Sequence, residues 1–227
     1  MKIATWNIER PSANSKRVPF ILNELRRIKA DIFILTESNE CIIPNSSYHI
    51  KNSSPFVEFQ PQKGEVRVSI LSRYSIISEE ETFQSDKSAC IVLDTTIGKL
   101  AVYGTIIGIT GNRAPDFQKD LDMIIKDIDH ISKLYPLCIA GDFNMSFSDI
   151  YYFTKEGKEK LNACFERNNL INMTAGVKNN IDHIVLPQNL ASLQNGQPKV
   201  WNNVNKLEKK DCLSDHQGVC VEINYSL

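Results

Sequence analysis

The chain has 227 residues, of which 42% are hydrophobic and 23% are charged. These fractions lie near the globular average, so they exclude a disordered or collagen-like protein, and a chain of this length buries roughly 70% of its surface on folding. The chain has 26 Lys and Arg residues and 27 Asp and Glu residues, so its net charge is −1. This charge argues against a general, charge-driven nucleic-acid binder.

Taken in chain order, the spacing of apolar residues predicts strands that alternate with helices. The predicted elements are a strand at 2–8, a helix at 17–29, strands at 31–37, 66–72, 89–95 and 100–107, a helix at 115–131, a strand at 137–142, a helix at 157–168, and strands at 170–173, 181–186 and 218–223. Long loops are predicted in the 40s to 60s and at 187–214. Because strands occur both in hairpins and between helices, we expect an α/β fold with mixed sheets flanked by helices, in a single domain over residues 1–227.

The apolar runs of the sequence are too short to cross a bilayer, and its charged start, MKIATWNIER, does not resemble a signal peptide. The six cysteines form no CxxC pair, and Cys90, Cys138 and Cys220 lie in apolar, strand-like runs. A thiol in such a run behaves as a small hydrophobic side chain. We therefore expect reduced, buried cysteines, a cytoplasmic location and no insertion into a membrane. The sequence indicates no obligate protein partner, and it leaves the oligomeric state open.

Polar side chains follow or open the apolar strands along the whole sequence. They are Asn7, Glu9, Glu37, Asp142, Asn144, Asp182, His183, Asp215 and His216. Ligands of α/β proteins collect where loops leave one end of the strands. If these ends converge, carboxylates about 5 Å apart repel by about 3 kcal/mol per pair at an effective dielectric of about 20, and a divalent cation offsets that repulsion. Oxygen ligands select Mg²⁺ or Mn²⁺ over zinc, and Mg²⁺ favours a phosphate-ester substrate.

Each of these acids also has an ordinary structural interpretation. An Asp that follows a strand is most often a helix cap or a turn former. Neither Asp142 nor Asp215 alone therefore indicates a site, and Asp182 alone fits the end of a surface strand. Their joint occurrence in one order along the chain is what favours a functional site.

The four histidines differ in the role that their neighbours predict. Adjacent residues on a strand face opposite sides, so His183 is expected to point away from Asp182. His49 and His130 lie outside any acidic motif and are predicted to be surface residues. His216 is left as the candidate for acid–base or phosphate chemistry.

Five short motifs follow one another along the chain. They are Trp6-Asn7, Thr36-Glu37, Gly141-Asp142-Phe143-Asn144, Ile181-Asp182-His183 and Ser214-Asp215-His216, with Ile70-Leu71-Ser72-Arg73 between the second and the third. In this order they resemble the signature of the endonuclease/exonuclease/phosphatase superfamily, which includes AP endonucleases, pancreatic-type deoxyribonucleases, neutral sphingomyelinases and inositol-polyphosphate 5-phosphatases. The resemblance spans residues 2–223. It implies a four-layer α/β sandwich of two mixed sheets with helices outside, and a metal-dependent phosphoesterase.

The resemblance implies a metal site built around Glu37, which resembles the family's principal Mg²⁺ ligand, with Asn7 beside it. Asp215 resembles an acid that lies near or on the metal. Many family members carry Asp two residues after the first Asn, where this chain has Glu9, and the longer side chain can still reach the metal or its water. We therefore expect Glu37, Asn7, Asp215 and Glu9 to be the metal ligands, with Mg²⁺ as the cofactor and Mn²⁺ as its substitute.

The resemblance also implies the catalytic residues. Asp142 resembles the acid that orients or deprotonates the attacking water, or that protonates the leaving oxygen, and Asn144 resembles the amide that holds the scissile phosphate. His216 resembles the histidine that contacts the phosphate, and Asp182 resembles its orienting carboxylate. Attack on a phosphodiester builds negative charge on the nonbridging oxygens, which an amide donor and an imidazolium stabilise. A carboxylate bonded to the imidazole raises its pKa.

One family element is missing from the sequence. Where the family has NTH or N-x-Tyr, this chain has Tyr103-Gly104-Thr105, so Thr105 aligns with the residue that touches the phosphate. Its hydroxyl donates one hydrogen bond but carries no charge. Arg10, Arg73 and Arg113 are candidates for the missing positive group, and Arg113 is preferred, with a solvated helix-start residue as its ordinary interpretation.

The sequence leaves the substrate class open. A nuclease fits the DNA-processing members of the superfamily, and Lys206, Lys209 and Lys210 precede the Ser-Asp-His motif, where they can edge the cleft. A nearly neutral chain fits a small or lipid phosphate substrate almost as well. Trp201 fits either a core side chain or a stacking platform. An inactive binding module is a third alternative, against which the retained motif residues argue. The expected partner is a phosphate-ester substrate, with DNA as the first candidate.

Overall fold

The computed structural model describes residues 1–57, 60–202 and 212–224. Its strands are β1 (Lys2–Asn7), β2 (Ile32–Asn39), β3 (His49–Asn52), β4 (Glu65–Ser72), β5 (Ser75–Glu80), β6 (Ser88–Thr95), β7 (Gly98–Ile106), β8 (Leu137–Asp142), β9 (Leu170–Asn172), β10 (Asp182–Pro187), β11 (Lys199–Trp201) and β12 (Gly218–Glu222). Its helices are α1 (Val18–Ile28), α2 (Asp116–Ile131), α3 (Lys155–Arg167) and α4 (Gln188–Ala191). Within the described ranges, no helix combines the length and the apolar character that crossing a membrane requires.

The strands form two mixed sheets of six strands each. The first sheet has the order β11-β12-β1-β2-β4-β3, and the second has the order β5-β6-β7-β8-β10-β9. The pairs β1–β2 and β7–β8 are parallel, because α1 and α2 supply the long crossovers that parallel pairing needs. The sheets pack face to face with helices on their outer faces, which confirms the four-layer α/β sandwich.

Three groups of buried side chains hold these layers together. Between the sheets, Ile34 and Val102 belong to a core of aliphatic side chains from both sheets. Helix α1 buries Ile21 and Leu25 against the outer face of the first sheet, while α2 and α3 pack around Phe117 on the second. Because full burial of such a side chain contributes about 1.5–3 kcal/mol, the apolar periodicity of the helices accounts for their docking.

Every predicted helix and strand is present, with small differences at the ends. The prediction of continuous loops in the 40s to 60s and at 187–214 is wrong, since these stretches contain β3, α4 and β11, and β5 was not predicted either. The three missed strands are all edge strands or short strands of their sheets. A strand that is paired on one side and half exposed lacks the apolar run by which sequence patterns reveal a strand.

The cysteines follow the prediction in part. Four of them are buried, namely Cys90, Cys138, Cys164 and Cys220. Cys41 is exposed and Cys212 is half-buried, so the prediction of buried thiols is wrong for these two. Both lie in loops, where no sheet covers them.

Five strands have one of their ends at the same end of the sandwich. The carboxyl ends of β1, β2 and β8 lie there, together with the amino ends of β10 and β12, which run antiparallel to β8 and β1. Strand β1 also packs across the sheet interface against β8 and β10. Side chains at residues near these strand ends are therefore brought together from distant parts of the sequence.

Candidate active site

Asn7 joins the two sheets at this end of the sandwich. Its Nδ2 donates a hydrogen bond to Oδ2 of Asp142 on β8 at 3.1 Å, and its backbone N–H donates to Oδ1 of Asp182 on β10 at 3.2 Å. Asp182 and Asp142 are direct partners across the antiparallel strands β10 and β8. All three residues are buried. The structure thus brings together three of the residues that the motifs single out.

His216 is held against the same cluster by Asp182. Its Nδ1 lies 2.6 Å from Oδ2 of Asp182, and the indole N–H of Trp6 donates to the carbonyl oxygen of His216 at 3.1 Å. Burial opposes protonation of the imidazole, but the charges of Asp182 and Asp142 outweigh it and raise the pKa of His216 to about 10. The ring therefore carries a positive charge at neutral pH.

The loop after β8 fixes the Asp142 carboxylate. Gly141 precedes it with a φ of 140°, and a Cβ there would lie 1.9 Å from the carbonyl oxygen of Thr105, so only glycine allows this close approach of β8 to β7. Asn144 follows in the left-handed region, and its backbone N–H and Nδ2 donate to the Asp142 carboxylate at 2.8 and 3.2 Å. Burial raises the pKa of Asp142 although the charge of His216 opposes the shift, which suits a group that exchanges a proton near neutral pH.

Asn144 has its side-chain donors engaged within the protein. Its Nδ2 donates to the carbonyl oxygen of Ile107 at 3.1 Å as well as to Asp142. In this conformation the amide positions the Asp142 carboxylate. Contact between Asn144 and a phosphate remains a prediction. It requires Nδ2 to give up its hydrogen bond to Ile107 or to Asp142 and to donate to the phosphate instead.

Glu37 lies beside the cluster in a strained part of β2. Its φ is 48°, in the left-handed region that residues other than glycine rarely adopt, and such strain concentrates at functional sites. Burial raises the pKa of its carboxyl group, the charges of His216 and Arg10 lower it, and Asp215 raises it. Thr36 is the register partner of Asn7, and the backbone N–H of Arg10 donates to the carbonyl oxygen of Glu37 at 2.8 Å, so Glu37 lies at the same strand end as Asn7.

The donors at this end of the sandwich fit a hard divalent cation. The Glu37 carboxylate is mostly desolvated and has no hydrogen-bond or ion-pair partner among the described residues. The Asp215 side chain is 71% exposed, and its Oδ1 lies 3.9 Å from Nε2 of His216. The described ranges contain no ready-made group of three or more His, Cys, Asp or Glu ligands. Such an open, all-oxygen arrangement suits Mg²⁺, which keeps several waters and takes one or two carboxylates plus substrate phosphate.

The other two predicted metal ligands are engaged elsewhere. Oδ1 of Asn7 accepts a hydrogen bond from the backbone N–H of Glu9 at 2.9 Å. The Glu9 carboxylate pairs with Arg17 at 2.8 Å and is half exposed, while Arg17 also donates to the carbonyl oxygen of Leu213. Glu9 therefore ties the segment after β1 to the loop before β12, and the structure does not bring its carboxylate to Glu37.

Thr105 does not reach the cleft. It is fully buried, and its hydroxyl lies 2.9 Å from that of Ser88 on the neighbouring strand β6. The alignment by motif placed it against the phosphate, but its side chain is covered by protein on all sides. A phosphate contact from Thr105 is therefore incompatible with this structure.

The three candidate arginines lie in different places. Arg10 lines a small cavity with Glu37 and is paired there with Glu65. Arg73 lies near Asp31 after β4, and its guanidinium covers the ring of Tyr48. Arg113 is exposed and lines a second, larger cavity. Lys206, Lys209 and Lys210 lie outside the described residues.

Trp201 is a core side chain. It is 5% exposed and meets the ring of Trp6 edge-on, with centroids 5.9 Å apart. A Cβ on Gly218 would lie 2.0 Å from the Trp201 ring, so the glycine makes room for the indole. The alternative of a stacking platform for a base therefore does not apply to Trp201.

Two features of the site were not predicted. Nδ2 of Asn202 donates to the carbonyl oxygens of Ser214 and His216, and so shapes the loop that carries the histidine. Burial and the neighbouring Tyr152 raise the pKa of the Tyr151 hydroxyl, and the charge of Asp215 adds to the shift, so Tyr151 lies within electrostatic reach of the cluster. The signal for Tyr151 was an apolar Ile-Tyr-Tyr-Phe run close behind the Gly-Asp-Phe-Asn motif, in a stretch without strand or helix periodicity.

A model of the endonuclease/exonuclease/phosphatase family matches residues 4–216. The chain belongs to this family. It is accordingly a hydrolytic enzyme of the phosphoesterase type, and members of the family generally use divalent metal ions. No curated protein matches the sequence.

Several solved structures have a similar fold. One is a variant of the 3′-phosphatase NExo from Neisseria bound to product DNA hairpin, with 18% identity, a TM-score of 0.72, and coverage of 99% of this chain and 100% of that one. Another is an AP endonuclease from Archaeoglobus fulgidus, with 16% identity, a TM-score of 0.73 and the same coverage. A third is a humanized TDP2 of D. rerio, with 17% identity, a TM-score of 0.67 and 99% coverage of both chains. At these identities the likeness shows the fold alone.

Proposed function

We propose that this protein is a Mg²⁺-dependent phosphodiesterase that acts on nucleic acid, with Mn²⁺ as an alternative cofactor. The observation that carries the proposal is the combination of two groups at one end of the sandwich. The first group is the His216 imidazolium, whose Nδ1 lies 2.6 Å from Oδ2 of Asp182. The second is the Glu37 carboxylate, which has no hydrogen-bond or ion-pair partner among the described residues. A phosphoryl group uses both, since its oxygens are stabilised by a cationic donor and by a hard metal ion.

In the proposed reaction, His216 donates a hydrogen bond from Nε2 to a nonbridging phosphoryl oxygen. Asp182 holds the ring through Nδ1 and keeps it positively charged. Asp142 exchanges a proton with the attacking water or the leaving oxygen, for which its raised pKa is suited. Asn7 and Asn144 orient the Asp142 carboxylate, and Asn144 also donates to the bound phosphate.

Glu37 and Asp215 are the residues that would hold the divalent ion. When bound, the ion supplies charge neutralisation for the phosphoryl oxygens. The Glu37 carboxylate also favours such an ion, because burial and the nearby charge of Asp215 raise its pKa and so disfavour its charged form.

A small or lipid phosphate ester is the alternative substrate. The net charge of −1 favours it, because phosphate contacts from Lys and Arg dominate the affinity of nucleic-acid binders. An inactive binding module is disfavoured because Glu37, Asp142, Asp182 and His216 are all retained around one cleft.

Hydrolysis of bis-p-nitrophenyl phosphate tests the proposed function. The purified chain is assayed with Mg²⁺, with Mn²⁺ and with a chelator, beside an Asp142→Asn variant. The same samples are then given abasic duplex, plasmid, single-stranded DNA, and inositol and sugar phosphates. We expect metal-dependent turnover that falls by about 100-fold or more in Asp142→Asn and that is fastest on DNA. Faster turnover of small phosphates would select the alternative substrate, and no metal-dependent turnover of any phosphate ester would contradict the proposed function.

We also propose that the protein works in the cytoplasm. Cys90 and Cys138 are buried in strands as core side chains, and this use of cysteine is typical of reducing compartments. Cell fractionation that locates the native protein in the cytosol is the expected result, and recovery outside the reducing compartments would contradict it.

A further inference from the structure

Residues 150–153, here called the aromatic loop, form an exposed apolar surface close behind the active-site aspartate. Ile150 is 91% exposed, and Tyr152 and Phe153 are each nearly half exposed. The rings of Tyr151 and Tyr152 lie 5.0 Å apart at 57° to each other. Contiguous large apolar side chains of this kind mark sites of interaction on soluble proteins.

The aromatic loop is held in place by polar contacts. The Asp149 carboxylate accepts hydrogen bonds from the backbone N–H groups of Tyr151 and Asn179 at 3.0 and 2.7 Å. Nδ2 of Asn112 donates to the carbonyl oxygen of Tyr152 at 2.6 Å. The rings are thus presented by a pinned backbone, which lowers the entropic cost of binding a ligand on them.

A cavity of about 580 Å³ lies between the aromatic loop and residues 110–113. Tyr152 and Phe153 line one wall, and Thr110 and Arg113 line the other. Arg113 has no hydrogen-bond or ion-pair partner among the described residues. Its planar guanidinium is always charged and matches a phosphate in two-point geometry. The volume falls within the range of roughly 300–1,000 Å³ that ligand sites occupy.

The cavity opens beside the catalytic cluster. Thr110 lines both this cavity and the smaller one that contains Glu37 and Arg10. On the other side of the aromatic loop, Tyr151 lies within electrostatic reach of Asp142 and Asp215. The two cavities thus share Thr110, which places this cavity next to the one that contains Glu37.

We propose that the cavity binds one base of a nucleic-acid strand and the phosphate next to it, with the base stacked on Tyr152 and the phosphate bound by Arg113. The inference rests on the function proposed above and deepens it, because it names a strand with bases as the substrate. Stacking on an aromatic ring tolerates any base, and an apolar chain would use neither the guanidinium nor the tyrosine hydroxyls.

Equilibrium binding without cleavage tests the inference. Fluorescence anisotropy is recorded in a chelator with a labelled hexathymidylate strand and with a strand of equal length made of abasic tetrahydrofuran phosphates. The proteins are wild type, Tyr152→Ala, Arg113→Gln and, as a control, Phe83→Ala, which removes an exposed ring beside Lys126 on α2, outside the cavity. Circular dichroism confirms that each variant is folded.

We expect wild type to bind the strand with bases about 5-fold or more tightly than the abasic strand, since stacking contributes about 1–3 kcal/mol per base. Tyr152→Ala should abolish this preference without changing the affinity for the abasic strand. Arg113→Gln should lower the affinity for both strands by the same factor. Phe83→Ala changes neither. Equal affinity of wild type for the two strands, or no measurable binding of either, would overturn the inference.

The two proposals fail in different ways. Metal-dependent hydrolysis of bis-p-nitrophenyl phosphate by wild type reports the proposed function and needs no base-bearing strand. A preference for bases that Tyr152→Ala abolishes reports the cavity and needs no catalysis. Binding of phospholipid vesicles that depends on Tyr152, in place of strand binding, would show that the aromatic loop contacts a lipid and would overturn the inference.

Discussion

Two histidines close to Asp182, one buried and one partly exposed, have pKa values that their surroundings shift in opposite directions. Nε2 of His183 lies 2.9 Å from the carbonyl oxygen of Met145, and its Nδ1 lies 3.0 Å from the hydroxyl of Thr174. Burial lowers the pKa of His183 to about 4, although its hydrogen bonds to backbone groups, which carry no full charge, oppose the shift. The His216 side chain is 14% exposed; its partial burial opposes protonation, but the charges of Asp182 and Asp142 raise its pKa to about 10. The neighbouring groups, and not burial alone, decide the charge of each ring.

The difference assigns the two rings to different tasks. Neutral His183 lies between the rings of Phe143 and Phe147, with centroids 5.4 and 4.8 Å away, and its bond to Met145 anchors the loop that begins with Asp142. Charged His216 has Nε2 3.9 Å from Oδ1 of Asp215 and lies within electrostatic reach of Glu37. His183 is thus part of the scaffold, and His216 is part of the proposed chemistry.

Replacing Asp182 with Asn tests the charged half of this comparison and has the largest expected effect. The amide preserves the shape of the carboxylate but removes the charge that holds the His216 proton, so the pKa of His216 falls toward its ordinary value near 6.5. We expect turnover at neutral pH to fall by about 100-fold or more, and activity to decline further as the pH rises. NMR titration of the histidine ring protons, with kinetics on the same samples, measures both effects.

The Asp182→Asn variant also separates charge from metal binding. The His183 resonances serve as the internal control, and the pKa of His183 should be the same in the variant as in wild type. Mg²⁺ affinity should stay close to wild type, because Asp182 contacts the histidine and the backbone of Asn7 and is not among the proposed ligands. A large loss of Mg²⁺ affinity, or an unchanged pKa of His216, would contradict the role given to Asp182.

Because folding holds His183 in its neutral form, we expect the protein to lose stability in acid. His183 has a pKa near 6.5 when unfolded and about 4 when folded, so the unfolded state binds more protons between these values and stability falls as the pH drops through this window. Between pH 7.5 and pH 5, His183 should cost about 2 kcal/mol of unfolding free energy. Urea unfolding of wild type and of His183→Gln at the two pH values measures it.

The comparison with His183→Gln is needed because His216 acts in the opposite sense. Its raised pKa contributes stability that is fully present below about pH 6.5 and is lost as the pH rises toward about 10. The pH dependence of the unfolding free energy of wild type alone therefore combines the contributions of His183 and His216. An equal loss of stability in wild type and His183→Gln would show that His183 is not held neutral.

Thr174 offers a smaller perturbation of the same neutral site. Its hydroxyl faces Nδ1 of His183 and also accepts the backbone N–H of Ile184 at 3.1 Å. Thr174→Val keeps the shape but leaves these groups unsatisfied, which should lower the unfolding free energy by about 1 kcal/mol. Thr174→Ser retains the hydroxyl and is the matched control in urea unfolding. Equal stability of the Val and Ser variants would show that the bond does not support His183.

Much of the site follows from sequence because strand ends and side-chain alternation are regular. Side-chain alternation along β10 correctly predicted that His183 points away from Asp182. The contact between Asp182 and His216 was predicted by the resemblance to the family. The pairing of Glu9 with Arg17 was missed, since it depends on the path of the chain after β1. The burial of Thr105 was missed because a short motif does not show which face of β7 is covered.

The aromatic loop was missed for a different reason. Residues 150–153 have neither helix nor strand periodicity, and their position follows from the bonds of Asp149 to Tyr151 and Asn179. Edge strands such as β3 and β5 escaped prediction because one side of each is free of a partner strand. Regular, buried elements are thus predictable from sequence, and irregular segments fixed by single polar contacts are not.

A Mg²⁺ titration of phosphodiester hydrolysis tests the central assignment most directly. Bis-p-nitrophenyl phosphate turnover is followed for wild type, Glu37→Gln and Glu9→Gln, which carry the same chemical change at two acids. Wild type should saturate with Mg²⁺, and Glu37→Gln should lose about 100-fold or more of the turnover. Glu9→Gln should stay within about 2-fold of wild type, since an exposed ion pair contributes little. Full activity of Glu37→Gln with loss of Mg²⁺ dependence in Glu9→Gln would contradict the account.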